Sequence, residues 1–466
     1  MRFRFPARLL VLGAAAGAAV LSGPSLPAAA QTLGPPEFVP IGVPGVPLSP
    51  KPYAQKQGCM QGARGSAIVE EKPWSQLALG FERAHGQTVP ETGQALTGAG
   101  QTIAVIDTGV NGGQPRLPAV NAGGGSSVPD GGADRDCDGH GTIVAGIIAA
   151  QPSPDTGFVG IAPGSSLMSI RQSSSLWEDE QSGRTIGDTQ TMAQAVQYAV
   201  DNGATVINIS QSSCQPIAAA ANPADPYNRA LQNAVRNARE AGVVVVAAAG
   251  NTQDSCQKNP VGSPTTAVLP AWFDDDVLTV ASIGEQGNPS EFTVPGPWVD
   301  VAAPGENLTS VDPGVGGTGV VNQIASGPQG EPGPIQGTSF AAPYVSGLAA
   351  LIKQKYPDLS ADEVMDRIKN TSLSPGGPGG RNDIVGHGMI DPMAALSDIV
   401  PAEHGKQPAP AKPARLSADV IPQTDWPALT IAFGGAIGGI CAVLFTAFLI
   451  NAVRTVRSRR AGNHED

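Results

Sequence analysis

Two hydrophobic rhythms alternate along the chain from Gln101 onward: short apolar runs, and longer stretches in which apolar residues recur every three or four positions. The short runs predict strands at Thr102–Ile106, Leu167–Ile170, Thr205–Ile209, Val243–Ala248, Val277–Ala281 and Val299–Ala302. The helical period predicts helices at Thr142–Ala150, Thr189–Asp201, Asn228–Glu240, Phe340–Lys355 and Ser360–Asn370. The last opens on Ser360-x-x-Glu363, a capping box in which each side chain satisfies the other residue's backbone N–H. Runs that are apolar at every position, rather than at alternate ones, belong to strands buried on both faces. Interleaved with helices, they predict an α/β fold around a central parallel sheet.

Two apolar segments follow neither rhythm. Leu9–Leu21 is preceded by Arg2, Arg4 and Arg8 and followed by small residues ending in Ala28-Ala29-Ala30-Gln31, the pattern of a cleaved signal peptide over 1–30. Pro24 and Pro27 argue against a buried helix there. Trp426–Val453 is 28 residues without a charge, longer than the roughly 20 that cross a bilayer core. Arg454, Arg457, Arg459 and Arg460 follow it, so the positive-inside rule makes 454–466 a cytoplasmic tail and places everything before the span outside. Gly434-x-x-x-Gly438 and Gly435-x-x-x-Gly439 either admit a second helix at close range or reflect how common glycine is in membrane helices.

Between these ends, 31–92 is a Pro/Gly-rich extension: an extended arm to about Pro73, then a short amphipathic helix carrying Trp74, Leu77, Ala78 and Phe81. The main domain runs over 93–400, and 401–425 is a Pro/Ala-rich linker. With 59 Gly and 43 Pro in 466 residues, a helical bundle is excluded. The net charge is −12, and seven of the arginines lie in the leader and tail, so the exported part is more acidic still. An acidic surface excludes a nucleic-acid partner, which demands a basic face. Cys59, Cys137, Cys214 and Cys256 lie outside the membrane, where the sequence alone leaves three pairings open. No C-x-x-C spacing supports a zinc or thioredoxin-type site.

Candidate chemistry sits where elements end. Asp107 closes the first strand, His140 opens a helix within His140-Gly141-Thr142, Asn251 follows the Val243–Ala248 strand, and Ser339 opens a helix within Gly337-Thr338-Ser339. These are the rim positions at which α/β sheets build sites. Singly, such residues are helix caps or buried carboxylates; in this order and setting they read as one site. Asp134-x-Asp136-x-Asp138-Gly139 copies the start of a calcium loop, but the position of its final carboxylate is Ala145. The aspartates therefore read as an acidic surface beside His140, with no metal assigned there. His85, His387, His404 and His464 read as structural or solvated.

In this order the motifs resemble the subtilisin-like serine proteases over roughly Gly93–Val400, through to Gly386-x-Gly388-Met389-Ile390-Asp391. The resemblance implies a subtilisin-like three-layer fold and a serine endopeptidase that needs no cofactor. Ser339 would be the nucleophile, His140 its base, Asp107 the partner of His140, and Asn251 a side-chain donor of the oxyanion hole. Ser210, Gln211 and Ser212 would bind the substrate as an added strand. The sequence Val-Ile-Asn-Ile-Ser-Gln departs from the glycine-rich version of that edge, which implies narrow specificity. The order of leader, arm, peptidase domain, linker, single span and Arg tail is similar to that of the mycosins, membrane-anchored proteases of actinobacterial type VII (ESX) secretion systems. That likeness implies a single-pass cell-membrane protein with its catalytic domain on the extracytoplasmic, periplasmic side. Its partners would be protein substrates secreted by the type VII system and the type VII secretion membrane complex. The alternative is a structural subunit of that complex with dispensable catalysis. The likeness also implies bonds from Cys59 to Cys137, pinning the arm beside His140, and from Cys214 to Cys256.

Overall fold

The computed structural model describes residues 34–62, 71–253, 256–325, 332–376, 378–397, 400, 403 and 426–461. The expected leader and nearly all of the expected linker lie outside them. The chain forms two compact units, one to His404 and one from Gly405.

In the first unit, seven parallel strands form one sheet in the spatial order Val301–Pro304, Leu278–Ile283, Val244–Ala248, Val206–Ile209, Thr102–Asp107, Ser166–Arg171 and Val120–Asn121. Successive side chains of a strand point to opposite faces, and here both faces are covered. Ile103 and Val105 pack with Ile143, Val345 and Leu348, whereas Ala104 and Ile106 pack with Met192, Val196, Leu231 and Val235. The helices His140–Ala149 and Thr338–Lys355 therefore lie on one face, and Thr189–Asp201 and Pro226–Glu240 on the other.

All six predicted strands and the five helices predicted within the main domain are present, with ends shifted by local chemistry, and a helix at Trp74–Leu79 precedes them. Pro226–Glu240 starts two residues before the predicted Asn228, because the Asp225 side chain accepts from Tyr227 N and Asn228 N and Pro226 is preset for the first turn. The capping box of Ala361–Thr371 forms as read. The elements not predicted are short: among them Val120–Asn121 joins the edge of the sheet, Ser174–Glu178 pairs with both Ala54–Gln55 and Thr185–Ile186, and Ser213–Pro216 pairs with the buried Thr266–Leu269.

The arm is laid along the peptidase unit. Ile41 N donates to Asn233 Oδ1, Leu48 bridges Gly125, and Lys51 pairs with Asp188 at 2.5 Å. Disulfides join Cys59 to Cys137 and Cys214 to Cys256, the pairing the resemblance implied. Among the described residues of the second unit, the helix Trp426–Ala461 contains one window, Gly438–Thr455, that is long and apolar enough to cross a membrane.

Candidate active site

Asp107, the last residue of its strand, is fully buried. Its Oδ1 accepts from Thr108 N at 2.7 Å and faces His140 Nδ1 at 2.7 Å, while Gln211 Nε2 lies 3.4 Å away. A carboxylate can only accept, so Nδ1 of His140 carries the proton and Nε2 keeps its lone pair. Burial disfavours the imidazolium, but the Asp107 charge and its hydrogen bond, then Asp136 and Asp138, outweigh it and hold His140 above the ordinary imidazole value. The ring rests on Phe340, with centroids 4.7 Å apart.

His140 opens its helix because the turn before it is tied down by a residue that the sequence reading left on the surface. Asp134 is exposed as expected, but Asp136 is buried. Asp136 Oδ1 accepts from Thr108 Oγ1 at 2.9 Å and Gly139 N at 2.8 Å; its Oδ2 accepts from Thr142 N at 2.8 Å and Thr142 Oγ1 at 2.6 Å. The acidic-surface reading therefore fails at this position: Asp136 fastens the Asp107–Thr108 turn to the start of the His140 helix. Burial pushes its carboxyl up to about 6, against the pull of those hydrogen bonds. Asp138 is half-buried and bonds Ser174 Oγ, Ser175 N and Ser175 Oγ. Arg171, also fully buried, donates to the Thr108 carbonyl at 3.0 Å and pairs with Asp130 at 2.5 Å.

Across the cleft, Ser339 stands in the first turn of Thr338–Lys355 and is 6% exposed. Gly337 precedes it at φ +149°, and a Cβ there would stand 2.9 Å from Ser339 Oγ, so this position requires glycine. Asn251 follows the Val244–Ala248 strand by way of Gly250 at φ +93°. Its Oδ1 accepts from Thr338 N at 2.9 Å and from Thr338 Oγ1 at 3.0 Å. A backbone N–H is always a donor, so this contact settles which way the amide faces and leaves Nδ2 on the other side.

A cavity of about 470 Å³ is lined by His140, Ser339, Asn251, Ser210, Gln211 and Ser212 among others. The arm reaches it through Gly58 and Met60, next to the Cys59–Cys137 bond. Among the described residues no hydrogen bond joins His140 to Ser339. Ser210 is buried and turns its hydroxyl inward to the Ser339 carbonyl, 2.6 Å away. Phe340 and Met60 had no sequence signal beyond nearness to a motif, and Asp136 stood out only in the acidic run read as surface.

Residues 98–388 match the subtilase family. Mycosin-4 of Mycobacterium tuberculosis is 43% identical over 473 residues, covering 98% of each chain. Among solved structures, the serine protease MycP1, an essential component of the type VII (ESX-1) secretion system, is similar with a TM-score of 0.70 and 38% identity over 78% of this chain and 100% of that one. A chain of an intact ESX-5 inner membrane complex is similar with a TM-score of 0.67 and 34% identity, over 90% of this chain and 98% of that one.

Proposed function

The chain belongs to the subtilase family and, within it, to the mycosin serine peptidases of type VII (ESX) secretion, and from that premise we propose that Asp107, His140, Ser339 and Asn251 act as one centre for peptide-bond hydrolysis. Ser339 Oγ attacks the scissile carbonyl while His140 Nε2 takes its proton and later passes it to the leaving amine. Asp107 holds the imidazole by Nδ1 and stabilises its cationic form. The Asn251 amide and the Ser339 N–H bind the oxyanion, and the Ser210–Ser212 edge aligns the peptide through its backbone. The observation that carries this reading is the 2.7 Å bond between His140 Nδ1 and Asp107 in a cleft that also holds Ser339 and the fixed Asn251 amide.

The substrates are a few proteins exported by the type VII system. The Trp426–Ala461 helix anchors the peptidase once in the cell membrane, with the arginines from Arg454 on the cytoplasmic side. Two disulfides in the peptidase unit support an oxidising, extracytoplasmic setting for it. A second, compatible role is that of a subunit stabilising the secretion membrane complex. It is favoured by the likeness, across 90% of this chain, to a protein seen within an intact ESX-5 inner membrane complex.

The test is a deletion strain complemented with Ser339→Ala and scored for both substrate cleavage and export. Loss of cleavage with export retained is the expected result and separates the two roles. Unchanged cleavage would overturn the assignment of Ser339.

A further inference from the structure

The helix that carries Ser339 contains Pro343. In an α-helix the Ser339 carbonyl accepts from the N–H four residues on, and at residue 343 proline has none. That carbonyl sits in a buried first turn, where an acceptor without a donor is costly. Ser210 Oγ supplies the donor from 2.6 Å.

A hydroxyl has one proton, so Ser210 then has only acceptor capacity left, and Asn208 Nδ2 fills it at 2.9 Å. Asn208 can present its nitrogen there only if its oxygen faces away from Ser210. That oxygen accepts from Ser346 Oγ at 2.8 Å. Asn208 and Ser346 are both fully buried, so water cannot substitute for either. With the amide reversed, Ser210 would turn its single proton to the Asn208 oxygen and the Ser339 carbonyl would lose its donor. The Ser346 hydroxyl, two helical turns beyond Ser339, favours the present orientation: its proton goes to Asn208 Oδ1 at 2.8 Å, and after a reversal it would be left with the more distant Ala342 carbonyl at 3.3 Å.

The geometry points to Ser346 as a positioning residue for the nucleophile: acting through Asn208, it biases the direction of the Ser210 hydrogen bond that holds the first turn of the Ser339 helix. This rests on Ser339 being the nucleophile. It extends that reading to a side chain that touches neither the cleft nor its other residues.

The test needs no natural substrate. Full-length protein in detergent is labelled with a fluorophosphonate probe, and the rate at saturation is measured separately from the half-saturating concentration, for Ser346→Ala, Ser210→Ala and the double variant. Thermal unfolding is followed alongside. Ser346→Ala should slow labelling at saturation about three- to tenfold, the effect of one buried hydrogen bond, with the half-saturating concentration within about twofold. In the Ser210→Ala background it should have no further effect, because the chain is already cut. Independent effects that multiply, or a lowered unfolding temperature with an unchanged labelling rate, would overturn the proposal. Continued labelling of a Ser339→Ala control would instead overturn the nucleophile assignment, and this proposal with it.

Discussion

Two acidic hollows lie at opposite ends of the same parallel sheet, and their aspartates are satisfied in different ways. At the carboxyl ends of the strands, Asp107 and Asp136 are bonded by backbone N–H groups, threonine hydroxyls and one imidazole. At the amino ends, a cavity of about 420 Å³ is lined by Asp274, Asp300, Asp362 and Asp366 together with Arg236 and Arg239. There Arg236 meets Asp276 at 2.5 Å, and Arg239 meets Asp362 at 2.5 and 2.9 Å. Fixed cations neutralise Asp276 and Asp362 and end their chemistry, whereas Asp300 there accepts from Thr279 N at 2.8 Å. At the carboxyl ends, neutral donors leave the charge free to act on the one titratable neighbour, His140. The contrast explains why one hollow is proposed as catalytic and the other reads as a fastening between the sheet and the helices Pro226–Glu240 and Ala361–Thr371.

Substitutions at each end should separate the two. The largest effect belongs to Asn251→Ala: losing one oxyanion donor typically costs about 10²–10³-fold in turnover, which fluorophosphonate labelling kinetics would show, while the loss of the acceptor for Thr338 N should also lower the unfolding temperature. Next comes Arg236→Ala, which leaves the buried Asp276 with a weaker partner, Arg239 at 3.3 Å. The protein should lose about 2 kcal/mol of stability by thermal or denaturant unfolding, while labelling stays at the wild-type rate; a labelling defect would break the division between the two ends.

Smaller effects follow from pH. The base must be neutral, so labelling should rise with pH through a midpoint above the ordinary imidazole value of 6.5. Asp138→Asn removes one of the charges that raise His140 and should move that midpoint down; no movement would remove Asp138 from the account. His140 binds its proton more tightly folded than unfolded, so its stabilising contribution is present below 6.5 and is lost as pH rises through the folded value. Asp300 gives a second pH-dependent signal at the other end of the sheet. Burial, then the Asp274 charge, push it from 3.8 up to about 7. The folded state keeps this proton when the unfolded state has lost it, so its contribution to stability falls as pH rises across that window. Asp300→Asn should raise the unfolding temperature more at pH 8 than at pH 5, and an equal change at both would contradict the shift.

The sheet was legible because its strands are written as continuous apolar runs. Ile103 and Ala104 face different helix layers, and both must be apolar. Asp107, His140, Asn251 and Ser339 were legible as motifs because each stands at an element boundary that local pattern marks. Asp136 was misplaced because acidic spacing looks the same on a surface as under a threonine hydroxyl. Ser174–Glu178 went unseen because its pairing partner, Ala54–Gln55, lies in an arm with no strand rhythm.

The sequence by itself determined which segments are strands and helices, which residues stand at their ends, and that an apolar segment near the C-terminus is long enough to span a bilayer. These depend on backbone periodicity and side-chain type within a few residues. Only the tertiary structure decided that Asp136 grips Thr108 and Thr142, that Thr338 orients Asn251, and that Ser346 reaches the Ser339 carbonyl through Asn208 and Ser210. The partners in that last chain are up to 138 positions apart, between Asn208 and Ser346. A buried hydrogen bond forms with whatever group chain closure brings within about 3 Å, and no local pattern records which group that will be.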